Sequence, residues 1–595
     1  MLTSEILRRF LLDLKTWFRV ERVLILAVPT GIIAGLGSVV FFTALDLSHT
    51  FFLDYLAGYR PAYPGGEHPV LEPGPTAHLI RWMLVVVPTI GGILSGWLVY
   101  TFAPEAEGHG TDAPIDAYHF KNAAIRARVP LIKIISSAIT IGSGGSGGRE
   151  GPIAQIGAGF GSTIALRLGL SRQERRILMM AGMSAGIGSI FHAPLAGAIF
   201  AAEILYREID MEYELLVPSA ITSVIAYCVF SLFFGFGSLF VTPPVGFVNT
   251  GEILPYTILA IVLALIANIY ARIFYGVRDI FRKLPVKPHL KPAIGGFLTG
   301  LIGYFIPASL YTGYGILQQA LNGELLVGFL LAVAAAKILT TAFSIASGGS
   351  GGVFGPSVVI GGAIGGATGL FLEKLWPSLV PNPEAYIIVG MAGFFSSAAS
   401  TPFSTIIMVS EMTGNYGLLL PAVWVSTLAF LLRGERGIYE KQIATRYDSP
   451  VHHGDFMLGV LARLTVQEAL KRYKSSQPGS VNQDTPMPEL IRHISGSPCC
   501  TFPVVDDEGR YLGVVTDIKI RNVIAARGLA SDIKASDLME SRGTVYSWES
   551  LSTVLTQMSA EGSDEVVVLS GNGAKKTVAG VLSRSDILRI YDEAI

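Results

Sequence analysis

The sequence predicts an all-α polytopic membrane domain of two inverted-topology repeats with broken helices, followed by a small α/β pair of water-soluble character. Three observations predict it. Of 595 residues, 51% are hydrophobic and only 15% charged, with a mean hydropathy of +0.51, whereas charged residues make up roughly a quarter of ordinary soluble domains. The glycine-rich stretch Ser143-Gly-Gly-Ser-Gly-Gly-Arg-Glu-Gly-Pro152 recurs as Ser347-Gly-Gly-Ser-Gly-Gly-Val-Phe-Gly-Pro356. Finally, the apolar character ends at Arg433, and strand and helix signals in two rounds follow.

The N-terminal segment, residues 1–22, is amphipathic and carries Arg8, Arg9, Lys15, Arg19 and Arg22. It has no small-residue cleavage site before the first span, so it does not read as a signal peptide. By the positive-inside rule it is expected in the cytoplasm. Val23–Leu45 and Trp82–Phe102 are long enough to span, since a crossing takes roughly 20 residues. The stretch between them, Ser48–His78, is poor in basic residues and reads as external; Lys121–Arg128 is basic and reads as internal. Next come short apolar segments, Leu131–Ile141, Ile153–Leu168, Ile177–Ile190 and Leu195–Ile204. Segments below spanning length are what partial helices of a transporter core give. Leu215–Phe234 and Leu254–Tyr275 are full spans on either side of an external Gly235–Thr250, and the basic Arg278–Lys291 separates the halves on the inside.

Glycine at the density of Ser143–Pro152 costs backbone entropy and gives no side-chain packing. It suits a place where backbone must approach something small. Proline is favoured in a first helical turn, so Gly148–Pro152 reads as a loop running into a helix N-terminus, whose free N–H groups and positive dipole end attract an anion. Glu150 is an ionisable residue at that end, and at membrane depth such a residue is a functional hypothesis by default. The second copy places Val353-Phe354 where Arg149-Glu150 stand. The register extends to Lys133-Ile134 against Lys337-Ile338, and to Pro194 and Glu203 against Pro402 and Glu411. Two halves broken by Gly and Pro at corresponding places are the mark of transporters whose discontinuous helices aim their ends at an ion near the midplane.

Gly148-Arg149-Glu150-Gly151-Pro152 and Gly352-Val353-Phe354-Gly355-Pro356 resemble two signature motifs of the CLC family of chloride channels and proton-coupled chloride antiporters. The resemblance covers the membrane half of the chain. It implies that Glu150 is an outer gate and proton acceptor, and that Arg149, Gly151, Val353 and Phe354 border the anion. It also implies a homodimer with a separate pore in each subunit. The family has a tyrosine just past its last membrane helix, donating to the central anion; Tyr439 stands alone between Tyr416 and Tyr447 and matches it. Where the family has Gly-Ser-Gly-Ile-Pro, this chain has Gly108-His109-Gly110-Thr111-Asp112, so His109 replaces the anion-touching serine. A neutral imidazole offers one donor and a protonated one two. Antiporters of the family commonly have two consecutive glutamates after the second Pro. Here Glu203 matches the first, structural one, and Ile204 fills the position of the second, which relays protons. Coupled exchange through water or another acid, and a passive channel, are the two mechanisms this leaves.

Beyond the polar segment 434–450, the rounds are Thr465–Tyr473, Cys500–Val505, Leu512–Val515 and Lys519–Arg527, then Leu551–Ala560, Glu565–Leu569, Val578–Leu582 and Ser585–Tyr591. This α-β-β-α pattern resembles a cytosolic pair of cystathionine-β-synthase (CBS) domains, which often bind adenine nucleotides. Ser583 and Asp586 fit the family's ribose-holding Ser/Thr-x-x-Asp pattern; Lys519 stands where the first half would need the Asp. A structural pair that binds nothing fits the residues equally. The expected domains are thus the cytoplasmic segment 1–22, a membrane domain 23–433 with repeats 23–276 and 292–433, the linker 434–450 and a CBS pair 451–530 and 531–595.

The expected partners are chloride or a similar small anion, protons, the lipid bilayer and a second copy of the chain. A net charge of −1 gives no sign of nucleic acid. Cys228, Cys499 and Cys500 make neither a disulfide framework nor a metal spacing. No cofactor is expected apart from the nucleotide. A CBS-regulated cation transporter would need oxygen ligands, and the membrane half lacks an acidic cluster. A membrane metalloprotease would need His-Glu-x-x-His, which does not occur.

Overall fold

The computed structural model describes residues 2–71, 78–472, 479–495, 500–527, 532–571 and 576–594. They fall into two compact units, 1–449 and 450–595. In the first, among the described residues, six helices are long and apolar enough to cross a membrane: Arg22–Leu56, Met83–Phe102, Tyr213–Phe234, Thr250–Lys283, Val327–Ala346 and Phe354–Leu375. Several exceed the apolar runs that announce them. The first continues from an α-helix into a π-helical turn, Thr50–Leu56, and the basic residues Arg278, Arg282 and Lys283 form the end of a helix, not a loop. The segment expected as Ile177–Ile190 is a full helix, Arg172–Ile190, begun by a capping box between Ser171 and Glu174. Its first turn is charged, which hides it from hydropathy.

Shorter helices complete two matching series. Arg128–Gly142, Glu150–Arg167, Arg172–Ile190 and Pro194–Glu203 are followed in the second half by Val327–Ala346, Phe354–Leu375, Ala385–Ala399 and Pro402–Thr413. Contacts between the series are reciprocal. Gly148 N–H donates to Gly352 O, and Gly352 N–H to Gly148 O, both at 2.7 Å. Ser146 Oγ meets Thr341 Oγ1 at 2.9 Å, while its counterpart Ser350 Oγ meets Ser137 Oγ at 2.8 Å. Glu203 accepts from Phe403 N at 2.9 Å, and from Ser404 N at 2.8 Å and Oγ at 2.5 Å. Glu411 in turn accepts from Leu195 N at 3.3 Å and Ala196 N at 2.8 Å. Each carboxylate thus satisfies free N–H groups at the start of the other half's Pro-initiated helix, as helix ends require. When every residue bonds to the counterpart of its own partner, a local two-fold axis runs between the halves. That axis brings the two glycine-rich stretches face to face.

Buried lysines brace the turns ahead of each series. Lys133 Nζ donates to Ala106 O at 2.9 Å and Gly108 O at 2.8 Å. Lys337 Nζ donates to Tyr311 O at 2.5 Å and Ser309 O at 3.2 Å. Both amines are fully buried, and carbonyl acceptors are what make such burial tolerable.

Among the described residues the second unit contains two three-stranded sheets, each with one parallel and one antiparallel pairing. The expected α-β-β-α order is incomplete: each half has an additional first strand, Val481–Asn482 and Thr544–Tyr546, too short to show as a hydrophobic run. The helix equivalent to Leu551–Glu561 is Met487–Ser495, not the expected Thr465–Tyr473, of which Val466–Arg472 is helical and Tyr473 lies outside the described residues. Val466 and Ala469 pack into the core of the second half, with Val554 and Ile587. Ala535 and Leu538 pack into that of the first, with Met487 and Phe502. The halves therefore exchange their leading helices. Cys499 and part of the turn Ser570–Gly573 also lie outside the described residues.

Candidate functional site

The Glu150–Arg167 and Phe354–Leu375 helices both begin inside the repeated motif, with Arg149 and Val353 as their N-terminal flanking residues. Glu150 is the first residue of its helix, yet its side chain reaches across to the other. Gly355 N–H donates to Glu150 Oε1 at 2.5 Å, and Oε2 is buried with no hydrogen-bond partner among the described residues. The glycines make room for this crossing. A Cβ on Gly148 would lie 1.9 Å from Glu150 Oε1; one on Gly352 would lie 2.7 Å from the same atom and 2.7 Å from Gly151 N. Gly151 is held as closely by the turn above it, since a Cβ there would lie 1.8 Å from His109 O. A carboxylate therefore occupies the positive end of a helix dipole in a space no larger side chain could share.

Glu150, Phe354 and Tyr439 share one small cavity with Thr111, Ala154, Ile187, Phe191, Phe200 and Met408. Its wall is mostly apolar and aromatic: the Phe354 ring packs 4.9 Å from Phe191 and 4.3 Å from Phe395. Val353 is buried beside it. In so apolar a cavity, N–H groups and the Tyr439 and Thr111 hydroxyls are the donors available to a small anion. Tyr439 is buried, in a segment pinned by Ile438, whose N–H donates to Ala398 O at 2.7 Å and whose C=O accepts from Tyr275 Oη at 2.8 Å.

His109 stands next to Tyr439, with ring centroids 5.4 Å apart, and its Nε2 lies 3.2 Å from Asp112 Oδ2. It also borders an open, charged cavity with Asp116, Arg278, Arg282, Glu440 and Lys441. Arg149 does not line the Glu150 cavity. It is buried between the rings of Phe42 and Tyr314, 5.4 and 5.2 Å from their centroids, and pairs with Glu67. Ile204 is fully buried at the end of the Pro194–Glu203 helix, and its carbonyl accepts from Gln442 Nε2 at 3.1 Å. Glu203 is held by the cap described above.

In the second unit Ser583 Oγ donates to Asp586 Oδ2 at 2.6 Å, and Asp586 N–H returns a bond to Ser583 Oγ at 3.1 Å. Ser583, just before the helix Arg584–Ala594, and Asp586, in its first turn, together cap its N-terminus. At the corresponding place in the first half, Lys519 N–H donates to Thr516 Oγ1 at 3.4 Å. Among the described residues no group of three or more His, Cys, Asp or Glu side chains could hold a metal ion.

Sequence reasoning missed Glu67 as the partner of Arg149, because the two lie far apart in the chain and one sits in a segment without pattern. It also missed Thr111 and the aromatic wall, which read as ordinary core. Lys133 and Lys337 were visible as matched positions, although their carbonyl partners were not.

Comparison with known proteins places these features. The family described as "Voltage gated chloride channel" matches residues 91–434, and the CBS domain matches residues 466–526. The chain is 28% identical over 421 residues to the H(+)/Cl(-) exchange transporter ClcA of Cronobacter sakazakii, covering 69% of this chain and 86% of that one. It is 28% identical over 434 residues to the voltage-gated ClC-type chloride channel ClcB of Salmonella typhimurium, covering 71% and 99%. A slow cyanobacterial Cl-/H+ antiporter of known structure superposes with a TM-score of 0.61 at 24% identity, over 70% of this chain and 96% of that one, which is a likeness of fold. The chain belongs to the voltage gated chloride channel family, a class of membrane transporters and channels, and carries a CBS region after its membrane domain.

Proposed function

We propose that this chain exchanges chloride for protons across a membrane, through a pathway that Glu150 opens and closes. The observation that carries the reading is the Glu150 carboxyl at the N-terminus of the Phe354 helix, accepting Gly355 N–H at 2.5 Å. A carboxylate and a chloride ion are small anions that seek the same N–H groups and the same dipole end. While Glu150 holds that place the anion is excluded; protonated, it releases the place and carries a proton. Backbone N–H groups around Val353 and Phe354, the Tyr439 hydroxyl and the His109 turn are the remaining anion contacts. Arg149, paired with Glu67, contributes positive potential from behind the gate. Glu203 is structural, holding two helices together.

Exchange is supported by the relatives named as H(+)/Cl(-) exchange transporters. Ile204 and the relatives named as channels favour the second reading, passive conduction. The chain works as a homodimer with both termini in the cytoplasm and the CBS pair, residues 451–530 and 531–595, as its regulatory or stiffening part. An adenine nucleotide at Ser583 and Asp586 is its one candidate ligand. Purified protein in liposomes decides the mechanism. A chloride gradient should drive proton movement uphill; chloride flux with no uphill proton movement makes the protein a channel.

A further inference from the structure

His109 is 8% exposed, and its two ring nitrogens differ sharply in surroundings. Nε2 lies 3.2 Å from Asp112 Oδ2, whereas Nδ1 is buried and has no hydrogen-bond partner among the described residues. Asp112 is itself fixed, since Lys441 N–H donates to its other oxygen at 3.1 Å. The turn carrying His109 is held from behind by Lys133 Nζ on Gly108 O at 2.8 Å. An ionised carboxylate only accepts hydrogen bonds, so Asp112 keeps the ring proton on Nε2. In the neutral ring Nδ1 then presents a lone pair, which repels an anion. A second proton turns the same atom into a donor.

We propose that His109, oriented by Asp112, is a proton-dependent anion ligand: Nδ1 takes a chloride-like anion only when the imidazole is protonated, so proton and anion bind there together. This rests on the reading of the Tyr439 hydroxyl and the His109 turn as anion contacts. The charged groups facing His109 suit such a site. Around it stand the acids Glu105, Glu107, Asp112, Asp116 and Glu440 and the bases Lys133, Lys441, Arg278 and Arg282, the latter able to draw an anion. Tyr439 packs against the imidazole, 5.4 Å between ring centroids, and also lines the cavity that holds Glu150. By linkage, a lower pH must tighten anion binding, and anion binding must take up a proton. The site also gives protons a titratable group beside the pathway, where Ile204 offers none.

The test uses the full chain with Glu150→Gln, which removes the gate carboxyl's own linkage to pH. Chloride is titrated calorimetrically at about pH 5.5 and about pH 8, on either side of the ordinary imidazole value near 6.5. Two buffers of different ionisation enthalpy count the protons. We expect chloride to bind roughly tenfold tighter at the lower pH, with uptake approaching one proton per anion. Adding His109→Ser or His109→Gln should leave binding that is indifferent to pH and takes up no proton. Equal affinity at both pH values in the Glu150→Gln protein overturns the proposal, as does a linkage that survives both His109 variants. Absence of chloride binding at either pH, in protein that unfolds cooperatively, overturns the anion-pathway reading as well.

Discussion

The crossed caps between the Pro194–Glu203 and Pro402–Thr413 helices give a prediction whose size follows from the contacts. Glu203 accepts three hydrogen bonds from Phe403 and Ser404, and Glu411 accepts two from Leu195 and Ala196, one of them a long 3.3 Å. At about 1 kcal/mol net per bond, Glu203→Ala should destabilise the fold by about 3 kcal/mol and Glu411→Ala by at most about 2 kcal/mol. Glu203 is also the more buried of the two, so the N–H groups it leaves behind have less access to water. Both carboxylates tie the same pair of helices. Once one tie is lost the other holds less, and the double variant should fall short of the sum by about 0.5 kcal/mol or more. Unfolding of the two single variants and the double variant in detergent, followed by tryptophan fluorescence, measures this. A smaller loss for Glu203→Ala than for Glu411→Ala, or strict additivity, would refute the reciprocal-cap reasoning.

Other consequences concern neighbouring residues. Gly148→Ala places a Cβ against the flexible end of Glu150, so it should raise chloride flux and flatten its pH dependence with little effect on stability; Gly352→Ala also meets the backbone of Gly151 and should cost more stability. Liposome flux paired with melting curves separates the two. Glu67→Ala leaves Arg149 buried and unpaired and should destabilise the protein by about 3–5 kcal/mol, which the shift of its unfolding midpoint tests. Asp586→Ala removes part of a helix cap, a loss of about 1 kcal/mol. If the residue also holds a ribose, weak calorimetric binding of ATP or AMP to the full chain should disappear with it, while an unmodified chain that gives no heat with either nucleotide leaves the cap as its whole role.

Much of this was legible because the membrane half repeats itself. One glycine-rich stretch is ambiguous; two copies in register, with Lys133, Pro194 and Glu203 matched at Lys337, Pro402 and Glu411, announce a two-fold core and the helix ends that meet there. What stayed hidden has physical causes. Hydropathy reports what a segment dissolves in, so it shortened helices with charged first turns, such as Arg172–Ile190, and broke off the one that ends in Arg282-Lys283. Partners far apart in the chain leave no local pattern, as with Glu67 and Arg149, or Asp112 and Lys441. Strands as short as Val481–Asn482 are set by the sheet that receives them, not by their own sequence. The exchange of leading helices between the CBS halves moved Val466 into a core its own half does not supply.

In the proposed mechanism the Glu150 carboxyl competes with chloride for the N-terminus of the Phe354 helix. The most direct measurement follows chloride and proton flux together in liposomes holding wild-type or Glu150→Gln protein across a range of pH. The variant should conduct chloride steadily, with little dependence on pH and no proton movement. A variant that keeps the wild-type pH dependence and any proton coupling would contradict that mechanism.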